Sequence, residues 1–382
     1  MTADLDRALI RACTAVRAGI AEFGRAFPGD CTIAGRYRLR PPEAGVPAGG
    51  NVGWTTGFRT GLLWLAGQLT GDAVFTDAAR ADVASFAARL DAGVGLDTHD
   101  LGFLFGLSCL PAWRLERDKT ARAVALNAAD RLMARVIEPA GVIQAWGSLG
   151  DPDEGGLTII DSLMNMPLLY WATEQTGDAR YAAAAARHTR ALRDRIVRRD
   201  GTTFHTFTWD PVTGFPRGGG TRQGFSADSC WARGQAWAIY GFALGYARTG
   251  DATFLDASRA CADRFCALLP PGGVPCWDLA LDARDGAPRD SSAAAIAACG
   301  LLELASSESE AATRRAREAT ARRIVESLAR DYAAPDDSSA LILHGVYDMP
   351  KANGVDEGTL WGDYFYLEAL ARLERPGVVL GW

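Results

Sequence analysis

Residues 157–171, LTIIDSLMNMPLLYW, set one carboxylate, Asp161, inside a stretch otherwise built for burial. No Lys or Arg lies nearby in sequence to neutralise it. An unpaired buried carboxylate answers burial by raising its pKa. Two readings stay open from this stretch alone. Asp161 is either a helix N-cap, taking up free backbone N–H groups, or an acid kept protonated near neutral pH for proton transfer. Other polar and aromatic groups recur at the starts of apolar segments. They are Asn51 and Trp54; His99 and Asp100 in THDLGF; Trp146 in IQAWGS; and Asn165, one helical turn after Asp161. Further on come His205 in FHTF, Gln223 in RQGFS, Trp231, Arg233, Gln235 and Trp237 in CWARGQAW, and Trp361 and Asp363 in LWGDYF. Gathered around one pocket, such groups describe a carbohydrate site. Tryptophan faces stack on sugar rings, carboxylic acids move protons, and Arg or Gln binds a carboxylate.

Each member also has a plainer reading. Asp100, Asp290 and Asp363 have the setting of N-caps, and Asp228 that of a cap for the CWARGQAW helix. His188 lies in an amphipathic run and reads as solvated surface, and tryptophans are more often core than subsite. Eleven tryptophans in one chain exceed what packing alone calls for. The case rests on convergence, so it depends on the elements that carry these groups.

Those elements are mostly helical. The sequences LTGDAVF (69–75), QTGDARY (175–181) and RTGDATF (248–254) share a joint in which Gly closes one helix and Asp opens the next. Gly supplies the left-handed C′ conformation and Asp the N-cap, so T-G-D reads as a tight helix–helix hairpin. Apolar periodicity predicts helices near 2–25, 54–69, 73–91, 100–117, 119–137, 159–176, 179–197, 228–248, 252–268, 290–305, 309–332 and 358–374. Helices that end at T-G-D are apolar nearly all round, and those that follow it are amphipathic. The first pattern means burial on every side and the second an outer wall. Alternating inner and outer helices in about six hairpins predict an all-α fold, an (α/α)6 barrel, as a single catalytic domain over 1–382. No regular period supports an open solenoid. Residues 198–227 form a long connection with the content of a short β-hairpin turning at DPVTG, and 335–357 form another. Both belong over one mouth of the ring, where the inner helices start.

Composition narrows the partners. A net charge of −6 argues against nucleic acid, and no charge-free run is long enough to span a membrane. The opening MTADLDRALIRACTAV carries Asp and Arg where a secretory signal needs an apolar core. Eight scattered cysteines with no C-x-x-C fit a reduced, cytoplasmic protein. Four separated histidines, none at ligand spacing with Cys, argue against zinc, and no metal or cofactor is expected.

The chain resembles the unsaturated glucuronyl hydrolases, glycoside hydrolase family 88. The resemblance rests on THDLGF (98–103), IIDSLMNMPLLYWA (159–172), FHTFTWD (204–210), TRQGFSADSCWARGQAWAIYGF (221–242), RDSSAAAIAACGLLEL (289–304) and GVDEGTLWGDYFYLEAL (354–370). It implies an (α/α)6 barrel without metal, acting on oligosaccharides that carry a 4,5-unsaturated uronic acid at the non-reducing end. It also implies that Asp161 is the general acid and base, assisted by Asp100. His205, Gln223 and Arg233 would line the subsite of the unsaturated sugar, with Trp54, Trp146, Trp231 and Trp237 as stacking or wall residues. Members that read a sulphated second sugar tend to carry Ser and Lys in the turn that here reads DMPKAN. Asp348 in that turn would repel a sulphate and Lys351 would attract one. The alternatives are an unsaturated rhamnogalacturonyl hydrolase, a sugar epimerase on the same barrel, and a non-catalytic glycan-binding ring. Paired histidines would favour the epimerase, and only His99 and His205 lie near the expected mouth.

Overall fold

A computed structural model describes residues 4–151 and 154–382. Its helices are α1 (Leu5–Phe23), α2 (Thr56–Thr70), α3 (Ala73–Ala92), α4 (Leu107–Glu116), α5 (Lys119–Met133) and α6 (Met166–Thr176), then α7 (Ala179–Arg195), α8 (Ala232–Thr249), α9 (Ala252–Leu268), α10 (Ser291–Ser306), α11 (Ala311–Ser327) and α12 (Leu360–Glu374). All twelve expected helices are present, most ending within a few residues of the predicted bounds; residues 2 and 3 of the first lie outside the described residues. The even-numbered helices form a closed inner ring: α2 packs on α4, α6 on α8, α8 on α10, α10 on α12, and α12 back on α2. Contact from α4 to α6 runs through a π-helical turn, Gly102–Gly106, that leads into α4. The odd-numbered helices wrap this ring, each against its inner neighbours. This is the (α/α)6 barrel.

Sequence character explains the two layers. Along α10 nearly every side chain is buried, and along α8 burial runs unbroken from Ala232 to Gly245. On α11, Ala321, Ile324, Val325 and Ser327 are buried and the charged face is left to water. The T-G-D joints behave as their chemistry dictates. Gly71, Gly177 and Gly250 adopt left-handed φ values of 71°, 75° and 69°, and Asp72, Asp178 and Asp251 accept from the N–H groups of Val74, Arg180 and Thr253. These joints run from inner-helix ends to outer-helix starts, so they lie at the end away from the inner-helix starts.

The other end carries β structure. Strands β1 (Pro28–Ile33) and β2 (Arg36–Leu39) pair antiparallel, as do β3 (Val136–Ile137) and β4 (Val142–Ile143). The expected hairpin over 198–227 forms from β6 (Thr206–Trp209) and β7 (Pro216–Gly220), and Asp210 turns it by accepting from the N–H groups of Val212 and Thr213. It gains a third strand, β5 (Leu157–Ile159), from residues the helical reading partly claimed. The long connection at 335–357 contains a further hairpin, β8 (Gly345–Asp348) with β9 (Asn353–Glu357).

Several local expectations are corrected. Asp363 does not cap α12: Thr359 does, and Asp363 is buried, accepting from Leu341 N–H, Ile342 N–H and the Tyr37 hydroxyl. Asp228 does not cap α8, whose N-cap is Trp231 with no side-chain bond. His188 is not surface; it is fully buried. Asp290 is a cap, accepting from Ser292 and Ala293 N–H at the start of α10.

Candidate active site

Asp161 sits in a short 3-10 turn, Ile160–Asn165, that runs from β5 into α6. It caps nothing. The turn is held at its start by Ile160 N–H, which donates to the His205 carbonyl on the neighbouring hairpin (3.0 Å). At its end, Asn165 Oδ1 accepts from Phe103 N–H (2.8 Å), which ties it to the π-turn that follows Asp100. The two acid-bearing segments approach so closely that only glycine fits between them. A Cβ on Gly102 would meet Asn165 Oδ1 at 2.7 Å and Asn165 Cβ at 2.8 Å. THDLGF and DSLMN are therefore two halves of one joint.

Above this joint lies a cavity of about 390 Å³, within the range of small-molecule sites, about 300–1,000 Å³. Its floor and walls include Asp161, Asp100, His99, His205, Gln223, Arg233, Trp54, Trp146 and Tyr347. Eight separate stretches of the chain meet here, as the ring geometry requires. Three expected members are placed differently. Trp237 is core, packed between Phe103 and Phe365. Asn165 is fully buried and works on backbone groups. Trp231 stands behind the wall, stacked on His205 at 4.2 Å and on the Arg233 guanidinium at 4.3 Å.

The electrostatics follow from burial. Burial pushes the Asp161 carboxyl up to about 6, and Asp100 nearby pushes the same way. Asp161 Oδ1 is sealed from water with no hydrogen-bond partner among the described residues. Asp100 is also raised to about 6 by burial, despite accepting from the Thr98 hydroxyl (2.7 Å). Its other oxygen lies 3.3 Å from His99 Nε2. Burial holds His99 down to about 4, so it is neutral near pH 6 and its pull on Asp161 lapses there. The outcome is two carboxyls of which one readily keeps a proton.

His205 has a fixed tautomer. Its Nδ1 accepts from the backbone N–H groups of Arg222 and Gln223, each at 3.2 Å, which leaves Nε2–H as the donor. Burial keeps it neutral, pushed down to about 3. Arg233, on the first turn of α8, is clamped between Trp231 and Trp361 and donates to the carbonyls of Val346 and Tyr347. Its Nη1 lies 3.4 Å from Asp290, so the α10 cap also orients the guanidinium. Gln223 donates to the Tyr347 carbonyl (3.0 Å).

Residues at the rim that motif reading left out include Tyr347, Arg222 and Glu154. Tyr347 accepts from Trp54 Nε1 (2.9 Å), and Arg222 forks onto both Glu154 oxygens (3.2 and 3.0 Å). Only the aromatic within HGVYDMP signalled Tyr347. Nothing local marks the Arg222–Glu154 pair. Asp348 and Lys351 stand together at the rim, ammonium to carboxylate 3.0 Å, so each answers the other's charge.

Known proteins resemble this chain in sequence and in fold. A model of Glycosyl Hydrolase Family 88 matches residues 39–368. The chain is 45% identical over 366 residues to an unsaturated glucuronyl hydrolase of Bacillus sp. (strain GL1), covering 95% of this chain and 94% of that one. A crystal structure of a Bacillus sp. GL1 unsaturated glucuronyl hydrolase superposes with a TM-score of 0.94 at 43% identity, covering 99% of this chain and 98% of the other. A Streptococcus agalactiae unsaturated glucuronyl hydrolase variant complexed with dGlcA-GalNAc6S superposes with a TM-score of 0.86 at 36% identity, covering 99% and 93%. With its fold and most of its length in common with these proteins, the chain belongs to glycosyl hydrolase family 88.

Proposed function

We propose that the ring acts as one catalytic unit that removes a 4,5-unsaturated glucuronic acid from the non-reducing end of lyase-generated oligosaccharides, with Asp161 as general acid and base. The observation that carries this reading is Asp161 itself: half-buried with Oδ1 sealed and without a hydrogen-bond partner among the described residues, pushed up to about 6, and lining a sugar-sized cavity beside Asp100. In such a substrate C5 carries the ring oxygen, so C4=C5 is a vinyl ether. Protonated Asp161 delivers its proton to C4, and the ring oxygen shares the positive charge left at C5. The Asp161 carboxylate then takes a proton from water as that water adds to C5. The resulting hemiketal opens to a keto acid, and the remaining sugar leaves from C1 without attack there. The carboxylate-spacing rule for direct glycosidic displacement does not govern this route.

Asp100 supports the step by accepting from sugar hydroxyls and by discouraging a second charge on Asp161. Arg233, Gln223 and the Nε2–H of His205 supply donors for the uronate, and Trp54 and Trp146 offer ring faces. Eight cysteines that stay unpaired support a reducing, cytoplasmic setting. No helix among the described residues is long and apolar enough to cross a membrane. The test is direct. Purified protein and its Asp161→Asn variant are mixed with unsaturated disaccharides from chondroitin, hyaluronan and rhamnogalacturonan, and the ultraviolet absorbance of the conjugated uronate is followed. Loss of absorbance in the wild type alone supports the reading, and the fastest substrate names the second sugar. A flat trace on all three, or activity in Asp161→Asn, defeats it.

A further inference from the structure

His188 does no chemistry in this scheme, yet it is buried in full on the outer helix α7, directly behind the residue that follows Asp161. Its hydrogen bonds leave no freedom. Nδ1 accepts from Ile143 N–H on β4 (3.0 Å). A neutral imidazole with an accepting Nδ1 carries its proton on Nε2, so Nε2–H donates to Ser162 Oγ (2.7 Å). The Ser162 hydroxyl in turn donates to the Ile159 carbonyl (2.5 Å). Burial holds the ring neutral, with its pKa pushed down to about 3.

Both ends of this chain of bonds lead to a carboxyl. On one side Ser162 adjoins Asp161 in the 3-10 turn, a conformation whose own hydrogen bonds are poorly directed and which gains most from an outside anchor. On the other side, two residues beyond Ile143, the Ala145 carbonyl accepts from His99 N–H (2.6 Å), and His99 adjoins Asp100. His188 thus bridges the two segments whose spacing decides how Asp161 and Asp100 share a proton.

We infer that His188 is a positioning residue for the reaction, fixing the Asp161 turn against the Asp100 segment from behind the site. The inference rests on the role given above to Asp161. Substitution by Leu fills the space but leaves Ser162 Oγ without its donor and Ile143 N–H without its acceptor. A small displacement of a reacting group is enough to cost about 100-fold in rate.

The test compares His188→Leu, His188→Gln, Ser162→Ala and Asp161→Asn, with kcat and KM on an unsaturated disaccharide read per folded molecule. His188→Leu is expected to lower kcat about 10- to 100-fold with KM within about twofold. His188→Gln, which keeps an N–H donor for Ser162, is expected to restore most of that loss. If His188→Leu does not fold, His188→Gln and Ser162→Ala carry the comparison, with Ser162→Ala the slower. Wild-type kcat in folded His188→Leu, or equal loss in Leu and Gln variants with KM rising in step, overturns the inference. Those outcomes with an inactive Asp161→Asn sink this inference alone, whereas an active Asp161→Asn sinks the reading of Asp161 beneath it.

Discussion

Proton supply to C4 sets a pH dependence whose sign and size follow from the site. An ordinary Asp, at 3.8, would be protonated in fewer than one molecule in about a thousand at pH 7. Asp161, held at about 6 by burial, is protonated in about one molecule in ten at pH 7, a gain of roughly 100-fold in competent enzyme. Activity should therefore fall about tenfold per pH unit well above pH 6. Asp100 is also raised to about 6, so the profile should be bell-shaped, with apparent values that belong to the pair. Asp100→Asn removes the neighbouring negative charge. It should erase the acid limb and move the alkaline limb toward lower pH, by up to about one unit. The assay is kcat/KM for loss of uronate absorbance between pH 4 and 9 at constant ionic strength. Activity that rises from pH 6 to 8, or an alkaline limb unmoved in Asp100→Asn, would refute the assignment of Asp161 as the acid.

The same groups make predictions for stability and packing. Because the folded pKa of Asp161 is raised, the unfolded chain gives up its proton first as pH rises. Stability present below pH 3.8 is then lost as pH approaches about 6. Asp161→Asn should unfold at a higher temperature than wild type at pH 8, worth about 1–3 kcal/mol, with the difference gone near pH 3.5 in thermal melts. Gly102→Ala forces a Cβ against Asn165 and should cost about 1–3 kcal/mol and about 100-fold in kcat, read by melts and by the absorbance assay. Trp237→Phe should lower the melting temperature while leaving KM unchanged, since Trp237 is core; a tenfold rise in KM would return it to the sugar site. Arg233→Lys loses the planar fork held between two indoles and should raise KM about tenfold or more in the same assay.

What was legible in the sequence was whatever local chemistry dictates. The T-G-D joints, the all-round apolar inner helices and the DPVTG turn all reappear where residue type alone placed them. Most of the mouth was legible too, because Asp161, Asp100, His205, Gln223 and Arg233 stand at inner-helix starts or on the connections beside them, and the ring does the rest. Misreadings came where partners are distant. His188 has an amphipathic neighbourhood, and its burial depends on β4 and Ser162, which no local pattern announces. Asp363 resembles a cap until Leu341 and Ile342, early in the connection 335–357, fold back onto it, and burial then pushes it up to about 7. Trp237 and Trp231 have the same residue type and lie on or beside one helix, but only tertiary packing puts Trp237 among Phe103 and Phe365 and Trp231 behind the pocket wall against His205 and Arg233.

The seam where α12 meets α2 also bears on when the protein becomes competent. The bond from Trp54 to Tyr347 joins residues 293 apart in the chain, and Trp54 lies against Trp361 across the same seam. This part of the sugar-facing wall needs residues from both ends of the ring and exists only once α12 has docked on α2. A nascent chain holding both carboxyls already has its acid and its assisting group, but no enclosed pocket to use them on. Competence therefore waits on the last inner helix, because Tyr347 and Trp361, which complete the wall around Trp54, come from the end of the chain.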